Sequence, residues 1–367
     1  MNIEKKDKRV VMTLDAGGTN FVFSAIKGMK EIVEPVRLPS NAHDLQKCLE
    51  TIIDGFSRVK AMLKEKPVAI SFAFPGPADY PRGIIGDLGN MPSFRGGVAL
   101  GPMLEEKFGM PVYINNDGDL FVYGEVIGGF LPYVNRKLEL SGSHKRYKNL
   151  FGVTLGTGFG AGITINGEMF VGDNSCGAEI WIMRNSKYPA CFIEESASIR
   201  AVQRVYMREA HLQGELSLSP KDIFDIATGT KEGNKQAAIA AFTELGETVG
   251  DALANAITLI DGLIVIGGGL SAAAQFFMPA LIHQMNGHIH TMQGEKIPRL
   301  PLSVYNLEEE SQFAEFVKGE EKEISVPFSN RKIIYDAKKR IGVGLARMDT
   351  SKAVSIGAYA FALTKLA

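Results

Sequence analysis

The sequence predicts an α/β fold of two related lobes, and three observations carry that prediction. A glycine-rich turn, Asp15-Ala16-Gly17-Gly18-Thr19-Asn20, joins two short apolar runs, Val10-Val11-Met12-Thr13 and Phe21-Val22-Phe23-Ser24-Ala25-Ile26. A second turn, Gly156-Thr157-Gly158-Phe159-Gly160-Ala161-Gly162, follows Phe151-Gly152-Val153-Thr154-Leu155 and leads into Ile163-Thr164-Ile165. Around them, strand-like runs alternate with stretches of helical spacing, which argues for an α/β sheet. A ligand-free tight hairpin would account for one such turn. Two at corresponding positions of two halves argue for a duplicated fold with a phosphate turn on each side of a cleft.

Each turn has a chemical reading. Glycine admits backbone conformations that other residues avoid, and it removes the side chains that would keep a phosphate away from main-chain N–H groups. Asp15, just before the first turn, suggests a held metal ion. Magnesium keeps most of its waters and takes only one or two protein carboxylates, so one acid at the mouth of a phosphate cradle suits a magnesium nucleotide.

The remaining elements follow in order. Leu45, Leu49, Ile52, Ile53, Phe56, Val59 and Leu63 have helical spacing. Val68 to Phe74 reads as a buried strand ended by Pro75-Gly76-Pro77. A helix near Met103 to Phe108 precedes the strand Val112-Tyr113-Ile114, which runs into Asn115-Asn116-Asp117. Gly118 to Gly128 reads as a helix crossing into the second half. The polar, basic stretch Leu131 to Asn149 reads as a surface excursion. Phe242 to Ile260 is a long amphipathic helix stopped by Asp261-Gly262. The strand Leu263 to Ile266, the turn Gly267-Gly268-Gly269 and a helix opening at Leu270-Ser271 come next. Glu308 to Lys332 is charge-rich and expected to be exposed, and Ala353 to Leu366 reads as a terminal helix.

A chain of 367 residues with 45% hydrophobic content can bury two sizeable cores. Its formal charge of -1 and pI near 6.6 give no electrostatic reason to bind nucleic acid or an anionic membrane. The charged start and the lack of a long apolar run predict a cytoplasmic protein with no membrane span. Cys48, Cys176 and Cys191 are widely spaced and are expected to be free thiols. His283, His288 and His290 have no cysteine or carboxylate among them and read as a solvated helix end and loop, not a metal site.

Rival motifs fail on their own requirements. Gly267-Gly268-Gly269-Leu270-Ser271-Ala272 fits a dinucleotide turn, but no acid lies between Gly269 and Glu295 to hold ribose hydroxyls, which disfavours NAD. The turn reads better as backbone lying flat against a nucleobase or ribose. No Gly-Lys dipeptide exists for a P-loop, and no G-x-S-x-G elbow for an α/β-hydrolase.

The two hairpins, the acid of Asn116-Asp117 after a strand, and the late glycine turn together resemble the actin, sugar kinase and Hsp70 superfamily, a two-lobed actin-like ATPase (ribonuclease H-like) fold. Within it the chain resembles the ROK family of sugar kinases and repressors, through Asp15 to Asn20, Pro75-Gly76-Pro77, Asn116-Asp117, Gly156 to Gly162, Gly177-Ala178-Glu179-Ile180, Ile266 to Ser271 and Ile356-Gly357-Ala358. With no DNA-binding region ahead of the first hairpin, the repressor branch is disfavoured. The resemblance implies a smaller lobe of residues 1–120 plus 350–367 and a larger lobe of 121–349. It implies an ATP-dependent carbohydrate kinase that transfers the γ-phosphate to a hydroxyl of a hexose or hexose derivative. The alternative is a non-catalytic sugar-binding or regulatory member.

The resemblance makes Asp117 the general base that accepts the sugar hydroxyl proton. Asp15 would orient magnesium through water, while Gly17, Gly18, Thr19, Asn20, Gly156, Thr157 and Gly158 surround the phosphates and Gly267, Gly268 and Gly269 face the adenosine. Glu179 and Glu194 fall where the family holds sugar hydroxyls, with Asn90 and Asn116 as further contacts. The partner is a small-molecule sugar, and a homodimer is allowed. Two departures matter. The family's Gly-Glu-Ile-Gly-His is here Ala178-Glu179-Ile180-Trp181-Ile182, so the histidine that touches the sugar and binds zinc is Ile182. Only Cys191 remains of the cysteine-rich zinc segment, and one thiol cannot build a tetrahedral site, so no zinc is expected. Losing the imidazole contact should also make plain glucose a poor substrate.

Overall fold

The computed structural model describes residues 7–76, 78–86, 92–214 and 217–366. Packing divides the chain into two units, one of Met1–Pro132, Gly162–Ala178 and Arg347–Ala367, the other of Tyr133–Ala161 and Glu179–Ala346. Residues 121–132, 162–178 and 347–349, expected in the larger lobe, therefore pack with the first unit.

In the first unit β1 (Val11–Ala16) and β2 (Asn20–Lys27) form the antiparallel hairpin around the first glycine turn. The short strands β3 (Lys30–Glu31) and β4 (Val36–Pro39) both pair with β2. Helix α1 (Leu45–Met62) starts where the Asp44 carboxylate accepts the Lys47 N–H, as N-cap acids do. Then come β5 (Ala69–Ala73), α2 (Leu100–Phe108) and β6 (Val112–Asn115), with β5 parallel to both β1 and β6. One sheet face carries aromatic rings: Phe23 meets Phe56 of α1 edge-on at 5.1 Å, and Phe56 meets Phe72 of β5 at 5.8 Å. Strand alternation turns Val11, Ile26 and Ala69 to a second cluster with Tyr359, Ala362 and Leu363.

Helix α3 (Asp117–Ile127) is followed by α4 (Phe130–Leu140). The expected surface excursion from Leu131 is thus helical in its first part. Phe130, Val134 and Leu138 recur at helical spacing and are buried, while Arg136 and Lys137 occupy the solvent side. Those basic residues hid the apolar spacing. Tyr147 further on is also buried, donating its hydroxyl to the Arg340 carbonyl at 2.6 Å.

The second hairpin is β7 (Leu150–Leu155) and β8 (Phe159–Ile165), with β9 (Glu168–Met169) beyond it. Helices α5 (Ile199–Glu209), α6 (Pro220–Thr228) and α7 (Lys235–Ile260) precede the fully buried strand β10 (Leu263–Gly267). Next are α8 (Ala274–Met285), the small hairpin β11 (His288–His290) and β12 (Lys296–Pro298), then β13 (Ser303–Asn306). The charge-rich stretch contains α9 (Glu310–Lys318) and a hairpin of β14 (Glu321–Ser325) and β15 (Lys332–Asp336). That hairpin is exposed as expected, but Phe316 of α9 is buried and stacks on Tyr147 at 5.6 Å. Strand β16 (Arg340–Leu345) and helix α10 (Thr350–Lys365) complete the chain. The second sheet runs β13-β16-β10-β7-β8-β9.

In the first unit α3 and α10 touch backbone to backbone. A Cβ on Gly124 would lie 2.0 Å from the Ala353 carbonyl oxygen, and one on Gly357 2.0 Å from that of Leu120. No side chain fits at either position. The Glu125 carboxylate, fully buried, fixes the same region by accepting the N–H groups of Phe130 at 2.6 Å, Arg347 at 3.2 Å and Met348 at 3.0 Å.

Candidate active site

In the first unit the functional side chains gather at the carboxyl ends of parallel strands, where open α/β sheets bind ligands. Asp15 is the penultimate residue of β1, and β6 ends at Asn115. The Gly17-Gly18-Thr19 turn is braced by Ser40: its hydroxyl donates to the Gly18 carbonyl at 2.6 Å and its N–H to that of Thr19 at 2.9 Å. Asn20 is the first residue of β2.

Asn116 caps α3, its side-chain oxygen accepting the Gly118 N–H at 2.8 Å, and Asp117 shares that donor at 2.9 Å. Water reaches Asp117, yet protein atoms crowd it closely. That desolvation pushes its carboxyl above the usual aspartate range, against the pull of its backbone hydrogen bonds, and the negative charge of Asp15 adds to the rise. The charge of Asp15 thus reaches Asp117, although the two acids lie on different strand ends. Asn90 and Pro77 lie outside the described residues.

The second unit gathers another set. In the Gly156-Thr157-Gly158 turn, the Gly156 N–H donates to the Gly158 carbonyl at 3.0 Å, and the Ile199 N–H at the start of α5 donates to the Gly156 carbonyl at 2.8 Å. Glu194 reaches the same turn, accepting the Phe159 N–H at 2.9 Å. Its other oxygen pairs with Arg200 at 2.9 Å, and Arg200 also holds Glu195 at 2.8 Å. A carboxylate has about four acceptor positions, so Glu194 keeps room for further hydroxyls.

Gly267 pairs in register with Thr154, which sets the third glycine turn beside the second hairpin. Within that turn Gly268 answers to the protein itself: its φ is 85° and a Cβ would lie 2.4 Å from the Leu155 carbonyl oxygen. Gly269, by contrast, has open space beside it. The reason given above for glycine, a flat-lying ligand, is not needed at Gly268.

Glu179 precedes a single 3-10 turn, Ile180–Ile182, and accepts the indole N–H of Trp181. Sequence reading missed this bond, together with the roles of Arg200 and Asn185. The spacing of Glu194, Glu195 and Arg200 across a helix start was the available signal for Arg200, and none existed for the Trp181 contact. Asn185 is 0% exposed and closes the segment beyond Ile182: its oxygen accepts the Lys187 and Tyr188 N–H groups at 3.0 and 3.1 Å, and its amide donates to the Ser196 hydroxyl at 2.8 Å. Ile182 is 62% exposed. Among the described residues no group of three or more His, Cys, Asp or Glu side chains is arranged to hold a metal ion. Cys48, Cys176 and Cys191 are free, and none of the described helices is long and apolar enough to cross a membrane.

Comparison with known proteins bears on the chain as a whole. A model of the ROK family matches residues 11–303. The chain is 28% identical over 278 residues to the N-acetyl-D-glucosamine kinase of Vibrio cholerae, covering 70% of this chain and 83% of that protein. It is 25% identical over 310 residues to the glucokinase of Thermotoga maritima, covering 77% of this chain and 89% of the relative. Its structure superposes on the crystal structure of a glucokinase from Parabacteroides distasonis with a TM-score of 0.91 and 58% identity, over 99% of each chain.

Proposed function

The chain belongs to the ROK family and is an ATP-dependent carbohydrate kinase, and from that premise we propose that Asp117 is its general base, with the sugar held by Glu179, Glu194 and Asn116. The observation that carries this reading is the place of Asp117, a solvent-accessible carboxyl on the first residue of α3, just past the end of β6 and in the same unit as the Asp15 turn. A base with a raised pKa holds an abstracted proton better, and a sugar hydroxyl needs such a base because it is a poor nucleophile near neutral pH.

The remaining catalysis is positioning and charge neutralisation around the transferring phosphoryl group. The turns Gly17-Gly18-Thr19 and Gly156-Thr157-Gly158 have the small side chains that let backbone N–H groups approach phosphate oxygens, and Gly267-Gly268-Gly269 is the candidate for the adenosine. Magnesium, when bound, supplies positive charge to the phosphates. A single carboxylate at the mouth of a glycine turn fits an ion that keeps its waters, so Asp15 is the residue to hold it.

Substrate choice turns on the segment after Glu179. The relatives named above are kinases of glucose and of N-acetylglucosamine. Ile182 and Phe192, 62% and 37% exposed, offer apolar surface near the proposed sugar acids, and an acylated sugar would cover it where a bare hydroxyl would lose hydrogen bonds. A coupled ADP-release assay over hexoses, amino sugars and N-acetyl sugars tests both levels. Sugar-dependent ADP release is expected, with kcat/KM higher for N-acetylglucosamine than for glucose. ADP release indifferent to every sugar would refute the kinase reading of the site, and glucose as the best substrate would refute the role given to Ile182.

A further inference from the structure

The motif that departs from the family pattern carries the inference. Trp181 follows the acid Glu179 by two residues and donates its indole N–H to that carboxylate. The Trp181 ring is in turn fixed: it meets Phe192 edge-on, ring centres 5.8 Å apart at 85°. The Arg200 guanidinium lies over the Phe192 ring, 5.9 Å from its centre, and pairs with Glu194 at 2.9 Å. Glu194 then accepts the Phe159 N–H at the second glycine turn. A continuous line of contacts thus joins Glu179 to Glu194 through Trp181, Phe192 and Arg200.

We propose that Trp181 is a positioning residue for the sugar site: its indole N–H fixes one oxygen of Glu179, leaving the other for a sugar hydroxyl, and the Phe192–Arg200 stack ties that orientation to Glu194. This rests on the reading of Glu179 and Glu194 as sugar contacts. An indole N–H is a donor only, so it holds an ionised carboxylate in one orientation and cannot compete with it for the sugar's donors. The ring also gives the carboxylate a rigid support, with two torsions to restrain in place of a long flexible chain. A carboxylate already oriented loses less freedom when the sugar arrives.

The test is steady-state kinetics of the full-length enzyme with glucose and N-acetylglucosamine as probes. Trp181→Phe keeps a ring against Phe192 and deletes the N–H. The expected result is a sugar KM raised about ten-fold, as for a lost hydrogen bond to a charged group, with kcat, the KM for ATP and the Tm nearly unchanged. Glu179→Gln should raise the sugar KM at least as much, and Trp181→Phe added to it should change little more. If Glu179→Gln leaves the sugar KM unchanged, the reading of Glu179 fails. If Glu179→Gln raises it and Trp181→Phe does not, the role of Trp181 fails. Should Trp181→Phe fold poorly, the native enzyme still decides, because Trp181 is its single tryptophan. Saturating sugar should shift or quench the intrinsic emission, and an emission spectrum that sugar leaves unchanged overturns the proposal.

Discussion

The carboxylate of Glu194 accepts the backbone N–H of Phe159 at 2.9 Å, so an acid proposed for the sugar is also a strut of the second glycine turn. Replacing it should therefore disturb both substrates. Glu194→Ala is expected to raise the KM for ATP and for sugar, each roughly ten-fold, whereas Glu179→Ala should raise that for sugar alone. Two-substrate kinetics on the variants separates the effects. A Glu194 variant with normal ATP kinetics would show that the turn keeps its shape unaided.

Asp117→Asn should keep the fold and sugar affinity while lowering kcat by about 10² to 10⁴, the range of lost general acid-base catalysis. The pH profile adds a finer check. The base works only when deprotonated, and its pKa is raised, so kcat/KM should fall on the acid side at a pH above the ordinary aspartate value of about 4. Asp15 contributes to that rise through its charge. The residual activity of Asp15→Asn should consequently show its acid limb at lower pH, and a limb that stays in place would separate the two acids.

Glu125 carries a stability prediction. Burial raises its pKa despite three backbone donors, so the folded state binds its proton more tightly than the unfolded chain does. The sign follows: its stabilising contribution is complete below the unfolded value of about 4.3 and declines as pH rises through the higher folded value. Glu125→Gln would set an amide N–H₂ against backbone N–H groups. It should cost about 1 to 3 kcal/mol at neutral pH and flatten the pH dependence of the urea midpoint. An unchanged midpoint would mean that the three donors find other partners.

The segment between Ile182 and Glu194 should hold its shape without metal. Its backbone closes on itself through Ile193 to Met183 at 2.8 Å and Asn185 to Cys191 at 3.1 Å, and the Asn185 side chain fills the interior. Elemental analysis is expected to find well under one zinc per chain, and chelators should leave the Tm in place. Asn185→Ala should lower stability by about 1 to 3 kcal/mol. Stoichiometric zinc would overturn this account of the segment.

What could be read from the chain alone was whatever is local in sequence. The first hairpin, the strand Val112–Asn115 leading to Asp117, and helix α7 from Phe242 onward each declare themselves by turn residues or spacing, whereas the first turns of α7, from Lys235, went unread. Helix α4 did not, because Arg136 and Lys137 on its wet face outweighed three buried apolar residues. Gly268 was given a ligand's reason when the real neighbour, the Leu155 backbone, lies far away in sequence. The Glu179–Trp181 bond depends on how two side chains turn, and residue spacing does not encode that.

The close seat of α3 on α10 also sets an order in time. Gly124 and Gly357 face each other's helices, yet the whole second unit intervenes between them along the chain. Contacts between distant segments form late, since their loop entropy is lost before the contact rewards it. The helix that begins with Asp117 thus gains its final support only when α10 returns. On refolding, catalytic activity should recover no earlier than the emission of Trp181, which lies in the second unit, and activity that returned first would refute this order.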